Sequence, residues 1–215
     1  MKWKAKDLVS GLTHLVGALL SVAALVVLVY VAAYKGTPWH VVSFAIFGAS
    51  LILLYTASTI YHLLPLKERA TRALKRVDHM MIYVLIAGTY TPISLVALRG
   101  AWGWSLLGSI WGIAVLGIIM KIVWLNAPRW LSTLFYLGMG WLLVIAFPPL
   151  LRSVPSGGIN WLVAGGAMYT VGAVIYGIKK PNIVKGFGFH EIFHLFVMAG
   201  SFGHFWLMYR YLLYI

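Results

Sequence analysis

Long apolar runs separated by short polar connections fill the whole chain. The runs fall at 9–33, 39–64, 78–98, 104–124, 130–150, 159–178 and 188–213. About 20 apolar residues carry a helix across a bilayer core of roughly 30 Å, so the pattern predicts seven membrane-spanning helices. Strands of a membrane barrel would alternate apolar and polar residues, and these runs do not. The expected fold is all-α: one polytopic seven-helix domain over 1–215, with no soluble appendage and no internal repeat.

Breakers and small residues add local detail. Pro92 in the third run and Pro148-Pro149 in the fifth predict kinks, with Thr89 and Thr91 placed to re-satisfy the carbonyls that a proline frees. Gly108-Ser109-Ile110-Trp111-Gly112 is a small-xxx-small pattern, which predicts close helix packing. The longest connection, LPLKERATRALKR (64–76), predicts a basic helix at the membrane surface. The first run follows Met1-Lys2-Trp3-Lys4-Ala5-Lys6, which resembles the start of a signal peptide. Its apolar part is longer than a signal core and more spans follow, so it reads as a retained anchor.

Composition agrees with this class. The chain is 62% hydrophobic and 10% charged, with a mean hydropathy of +0.91. A net charge of +13 then needs an explanation. Nucleic-acid binding would require a soluble surface or arm, and no connection is long enough. Topology accounts for the charge instead. A cytoplasmic N-terminus puts Lys2, Lys4, Lys6, Lys67, Arg69, Arg72, Lys75, Arg76, Lys121, Arg129, Lys179, Lys180 and Lys185 inside. Only Lys35, Arg99, Arg152 and Arg210 stay outside, a strong positive-inside bias. The expected orientation is N-terminus cytoplasmic and C-terminus extracytoplasmic in a plasma membrane, with basic loops drawn to anionic lipid heads.

Ionisable groups inside spans are costly and therefore informative. With this topology His14, His62, Asp78, His79, His190, Glu191 and His194 arrive at one depth from four spans. His190-Glu191-x-x-His194 spells the letters of a zinc-protease helix. Residues i and i+4 share a helix face, roughly 6 Å apart at Cβ, so the two imidazoles can chelate one ion. A pair of buried, hydrogen-bonded imidazoles explains the same spacing equally well. His62 would supply a third nitrogen and leave a fourth position for water, the arrangement of catalytic zinc. Ser58 stands four residues before His62 on the same face. The absence of cysteine restricts any metal to His, Asp, Glu or water. His40 reads as an interfacial residue, and His14 and His79 as supporting groups. His204 lies about 20 Å farther along its helix than His190 and reads as a buried hydrogen-bonding residue.

Four strings, SGLTHLVGALLS (10–21), YTASTIYHLLP (55–65), RVDHMMIYVLIAGTYTP (76–92) and HEIFHLFVMAGSFGHF (190–205), carry a family resemblance. They resemble the bacterial haemolysin III branch of the progestin and adipoQ receptor (PAQR) family, related to adiponectin receptors and alkaline ceramidases. The likeness spans essentially the whole chain. It implies a zinc ion held by His62, His190 and His194, with Asp78 oriented toward the metal water and Ser58 nearby. It also implies a bacterial inner membrane location and hydrolysis of a lipid amide or ester. The family's first motif often has Asn where this chain has Ser10, and Glu near Asp7, so those two positions carry no assigned role.

Three other readings compete. A protease would use Glu191 as general base, yet the continuations of known zinc-protease motifs are missing and relatives carry Gln there. A structural zinc would lock spans together in a non-enzymatic membrane sensor. A pore would need a continuous polar stripe along a span, and none is present. In the hydrolase reading the partners are membrane lipids, with Tyr61, Tyr83, Tyr90 and Phe193 along the path of an acyl chain.

Overall fold

The computed structural model describes residues 7–124, 127–184 and 187–215. The described residues form helices and connections, with a single antiparallel bridge between Val184 and Phe187. The helices are α1 (Leu8–Lys35), α2 (Pro38–Leu63), α3 (Glu68–Pro92), α4 (Ala101–Val123), α5 (Arg129–Trp141), α6 (Phe147–Ser153), α7 (Ser156–Ile178) and α8 (Phe189–Arg210). Seven helical stretches are long and apolar enough to cross a membrane, the fifth being α5 and α6 taken together as Trp130–Ser153.

Burial sorts the spans into a centre and a periphery. The third span is 72% buried, whereas the first, fifth and sixth are 22% buried and the fourth 28%. Leu19, Val26, Leu116 and Ile145 therefore point outward without an aqueous penalty, since a bilayer is as apolar as they are. The interior side of this arrangement is built on aromatic and aliphatic residues such as Phe44, Phe47, Tyr83, Ile110 and Met208.

Residues 68–76 are helical, as expected, but continuous with the third span rather than a separate helix. The connection is Leu64–Lys67, and α3 begins at Glu68 and runs unbroken into the third span. No glycine or proline interrupts residues 68–77, and Glu68 pairs with Arg72 one turn on, so nothing stops the helix.

The two proline sites differ from simple kinks. At Pro92 the α-helix passes into a π-turn over Ile93–Ala97, closed by Leu98 N–H donating to Ile93 O at 3.0 Å. Thr89 and Thr91 donate to Leu85 O and Ala87 O, four residues back, rather than to the Gly88 carbonyl that Pro92 frees. In the fifth span the break precedes the prolines: Leu142–Ala146 is a 3-10 turn, and Pro148-Pro149 sit in the first turn of α6. Tyr90 pins that break from α3. Its hydroxyl lies 2.7 Å from both Met139 O and Gly140 O and accepts from Leu143 N–H at 2.9 Å.

The small-residue expectation fails at its named motif. A Cβ on Gly108 or Gly112 would meet nothing within 4 Å, because that face of α4 is exposed. Close approach occurs between α7 and α8, where a Cβ on Gly203 would lie 3.1 Å from Gly165 Cα. A Cβ on Gly165 would meet the His204 ring at 2.7 Å.

Candidate metal centre

His62 arrives on the last turn of α2, and His190 and His194 on the first turns of α8. The three rings offer nitrogens that all lie within 4.8 Å of one another, close enough to bind one metal ion. His62 and His194 are buried and His190 is half-buried. His62 Nε2 and His190 Nε2 lie 3.3 Å apart. Two nitrogens at 2.0–2.1 Å from one tetrahedral zinc are separated by about 3.3–3.4 Å, so the observed spacing fits such an ion.

The far side of each ring decides which nitrogen is available. His194 Nδ1 lies 3.3 Å from Ser10 O, which can only accept, so this nitrogen carries the proton and Nε2 keeps its lone pair. His62 Nδ1 faces Asp7 Oδ2 at 3.5 Å, which favours the same tautomer. Carboxylate or carbonyl groups behind a histidine are the usual means of fixing a ligand ring. Burial raises the Asp7 carboxyl pKa, but the contacts with His62 and Ser10 outweigh it and hold the group well below the usual carboxylate range.

Asp7 and Ser10 reach this position because they open α1. Asp7 is its N-cap, accepting from Ser10 N–H at 3.4 Å, and its own N–H donates to His62 O at 3.1 Å. Ser10 Oγ lies 2.7 Å from Asp7 Oδ2 and 2.7 Å from Glu191 Oε1. Glu191 Oε2 accepts from Gly188 N–H at 2.7 Å, capping α8. Both oxygens of Glu191 are thus engaged, Oε1 in joining α8 to α1 and Oε2 in capping α8. A protease base would need one of them directed at the metal site, so this geometry disfavours that reading. Sequence alone left Asp7 and Ser10 without a role; the one local signal was an Asp-x-x-Ser cap before an apolar run.

His14 stacks on His194 with centroids 3.5 Å apart and an 8° interplanar angle, and meets Tyr55 in an edge-type contact at 4.9 Å. His79 accepts from Tyr136 OH through its backbone oxygen at 3.3 Å. His204 Nδ1 lies 2.9 Å from Gly200 O and its ring stacks on Tyr169, the hydrogen-bonded role expected for it. His40, in the first turn of α2, is buried and hydrogen-bonded: Nδ1 accepts from Thr37 N–H at 3.1 Å and Nε2 reaches Leu212 O at 3.0 Å.

A cavity of about 590 Å³ opens beside the histidines. His14, Ser58, Asp78, His79, His190 and His194 line its polar end. Ser58 and Asp78 are buried, so the two sequence candidates from α2 and α3 share one chamber with the cluster. The rest of the wall is apolar and runs toward Leu162, Val197 and His204. Gly140, Trp141 and Val144 on one side, and Val163, Ala167 and Val171 on the other, are both cavity wall and outer surface. The chamber therefore reaches the lipid-facing side between the fifth and sixth spans. Tyr90 and Phe193 line it as expected, while Tyr83 packs on Tyr136 and Tyr61 sits edge-on to His62 outside it.

Comparison with known proteins adds to this geometry. A model of a family described as "Haemolysin-III related" matches residues 2–205. The chain is 43% identical over 196 residues to a protein of Bacillus subtilis named "Hemolysin-3 homolog", covering 91% of this chain and 89% of that one. It is 41% identical over 196 residues to "Hemolysin-3" of Bacillus cereus, covering 91% and 87%. More distantly, it is 28% identical over 181 residues to the human "Monocyte to macrophage differentiation factor", covering 81% and 72%.

Proposed function

The chain belongs to the haemolysin III-related family, and on that footing we propose that it is a multi-pass membrane hydrolase of lipid amides or esters that works with zinc. One observation carries the reading: His190 and His194 of the three-histidine cluster line the polar end of an apolar cavity whose wall includes exposed residues of the fifth and sixth spans. His62, His190 and His194 would hold the ion; three imidazoles also suit copper, iron or nickel. When bound, zinc supplies Lewis acidity toward a carbonyl and toward water.

The remaining work falls to the chain's own residues. Asp78, buried in the same chamber, accepts a proton from attacking water and returns it to the leaving nitrogen or oxygen. Ser58 donates its hydroxyl to the developing oxyanion. The apolar wall excludes water and aligns an acyl chain, which enters sideways between the fifth and sixth spans. Such an activity would serve membrane homeostasis.

The location that goes with this is a bacterial inner membrane with the N-terminus cytoplasmic. Lys67, Arg69, Arg72, Lys75, Arg76, Lys121, Lys179 and Lys180 flank the histidine-bearing ends of the helices, against Lys35, Arg99, Arg152 and Arg210 at the other ends. Lys2, Lys4, Lys6 and Lys185 lie outside the described residues, as does the Arg129 side chain.

A second reading, a zinc lock in a membrane sensor, is favoured by how α2 meets α8. Side chains bridge the two helices at the histidines and at Tyr55 OH to Ser201 Oγ, 2.7 Å. Asp78→Asn separates the readings. Metal analysis of the purified variant should show full occupancy, while turnover of a panel of lipid amides and esters falls at least about 100-fold, the scale of general acid–base catalysis. Turnover equal to that of the parent chain would sink the hydrolase assignment.

A further inference from the structure

One imidazole lines the chamber far from the histidine cluster. His194 and His204 both belong to its wall and stand ten residues apart on α8, about 15 Å along the helix. His204 Nδ1 lies 2.9 Å from Gly200 O, which can only accept, so Nδ1 carries the proton and Nε2 keeps a lone pair. Tyr169 stacks on one face of the ring, and the Nδ1–Cε1 edge lies close against Gly165. Among the described residues nothing donates to Nε2, and the ring borders open space in the cavity.

Other polar groups along this wall have their protons engaged. Thr89 and Thr170 donate to Leu85 O and Gly166 O, and Tyr90 OH lies against Met139 O and Gly140 O. A lone pair left without a donor in apolar surroundings is costly, and the wall offers Nε2 none. A ligand that reaches this point can bring one. A neutral imidazole presenting a lone pair accepts from a hydroxyl and gives nothing to an ether, a carbonyl or a methyl end. An extended chain advances about 1.2 Å per bond, so the span from His194 to His204 corresponds to roughly twelve bonds.

We propose that His204 is a specificity-determining residue, selecting long-chain amides or esters whose acyl chain carries a hydroxyl roughly twelve bonds from the carbonyl. With the carbonyl at the histidine cluster, the chain lies along the apolar wall past Val197, and its hydroxyl donates to His204 Nε2. This inference rests on the reading of the chamber as an acyl-chain site. It needs neither turnover nor the identity of the metal.

Native mass spectrometry of the full chain in detergent, titrated with 12-hydroxystearamide or 7-hydroxystearamide, tests this. The two isomers are equally polar, so partition into detergent does not separate them; only the position of the hydroxyl does. The 12-hydroxy isomer should bind about tenfold more tightly, the scale of one hydrogen bond made against one left unmade. His204→Ala and His204→Phe should both bring the isomers to near equality, the second keeping a ring on Tyr169 while removing the lone pair. Equal affinity in the parent chain, a comparison that needs no variant, would overturn the proposal. So would a 12-hydroxy preference that survives in either variant. Failure of both amides to bind the parent would overturn it together with the acyl-chain site, whereas the expected preference without turnover would remove the hydrolase reading alone.

Discussion

Ser10 Oγ lies 2.7 Å from Glu191 Oε1, joining the first helix to the last across 181 residues of sequence. That contact engages the one carboxylate in a His-Glu-x-x-His string. The residue that a protease would need as a base is a cap on α8 and a strap to α1.

Glu191→Gln should therefore keep both metal and turnover. The amide oxygen can still accept from Gly188 N–H and the amide nitrogen can donate to Ser10 Oγ, so the expected cost is within about 1 kcal/mol, the worth of one ordinary hydrogen bond. Thermal unfolding beside an activity assay checks it; a large loss of turnover at full metal occupancy would restore the protease-like role.

Asp7→Asn should weaken metal binding by about 10- to 100-fold, the usual effect of removing the group behind a metal-binding histidine. Ser10→Ala should leave metal affinity nearly intact, because His194 is held by the Ser10 backbone oxygen. Chelator competition measures both. Equal losses in the two variants would contradict this division of labour.

His62→Ala and His190→Ala should each abolish stoichiometric metal, whereas His204→Ala should retain it, since that ring bonds Gly200 O far along α8. Elemental analysis of purified protein decides this directly. Retention of one ion per chain in His62→Ala would remove it from the ligand set.

Tyr90→Phe strips the hydroxyl from the break in the fifth span and leaves Leu143 N–H unpartnered. A loss of about 1–3 kcal/mol is expected for such a buried orphan. The same break forms part of the cavity wall, so lipid turnover should fall along with the unfolding temperature.

Gly165→Ala should destabilise by about 1–3 kcal/mol through overpacking against the His204 ring. Gly108→Ala, on an open face, should be neutral. The contrast shows why a small-xxx-small string alone was a poor guide to the packing interface. Gly108 and Gly165 are both glycines within apolar helices, and only the neighbour's position tells them apart.

Much of this molecule is written locally. Seven apolar runs determine seven spans because each helix satisfies its own backbone in lipid, whatever its neighbours do. The i, i+4 spacing of His190 and His194 likewise places two imidazoles on one face before any tertiary contact forms. The shared strings around Ser58, His62, Asp78 and the histidine pair made the family legible as well. Tertiary structure decided the rest. Asp7 and Ser10 acquire their role only when α1 packs on α2 and α8. Glu191 turns away from the cluster, Tyr90 finds a break on another span, and Lys121 is buried against Ser132. Each of these depends on a partner distant in sequence, and a periodic pattern carries no information about which face meets which.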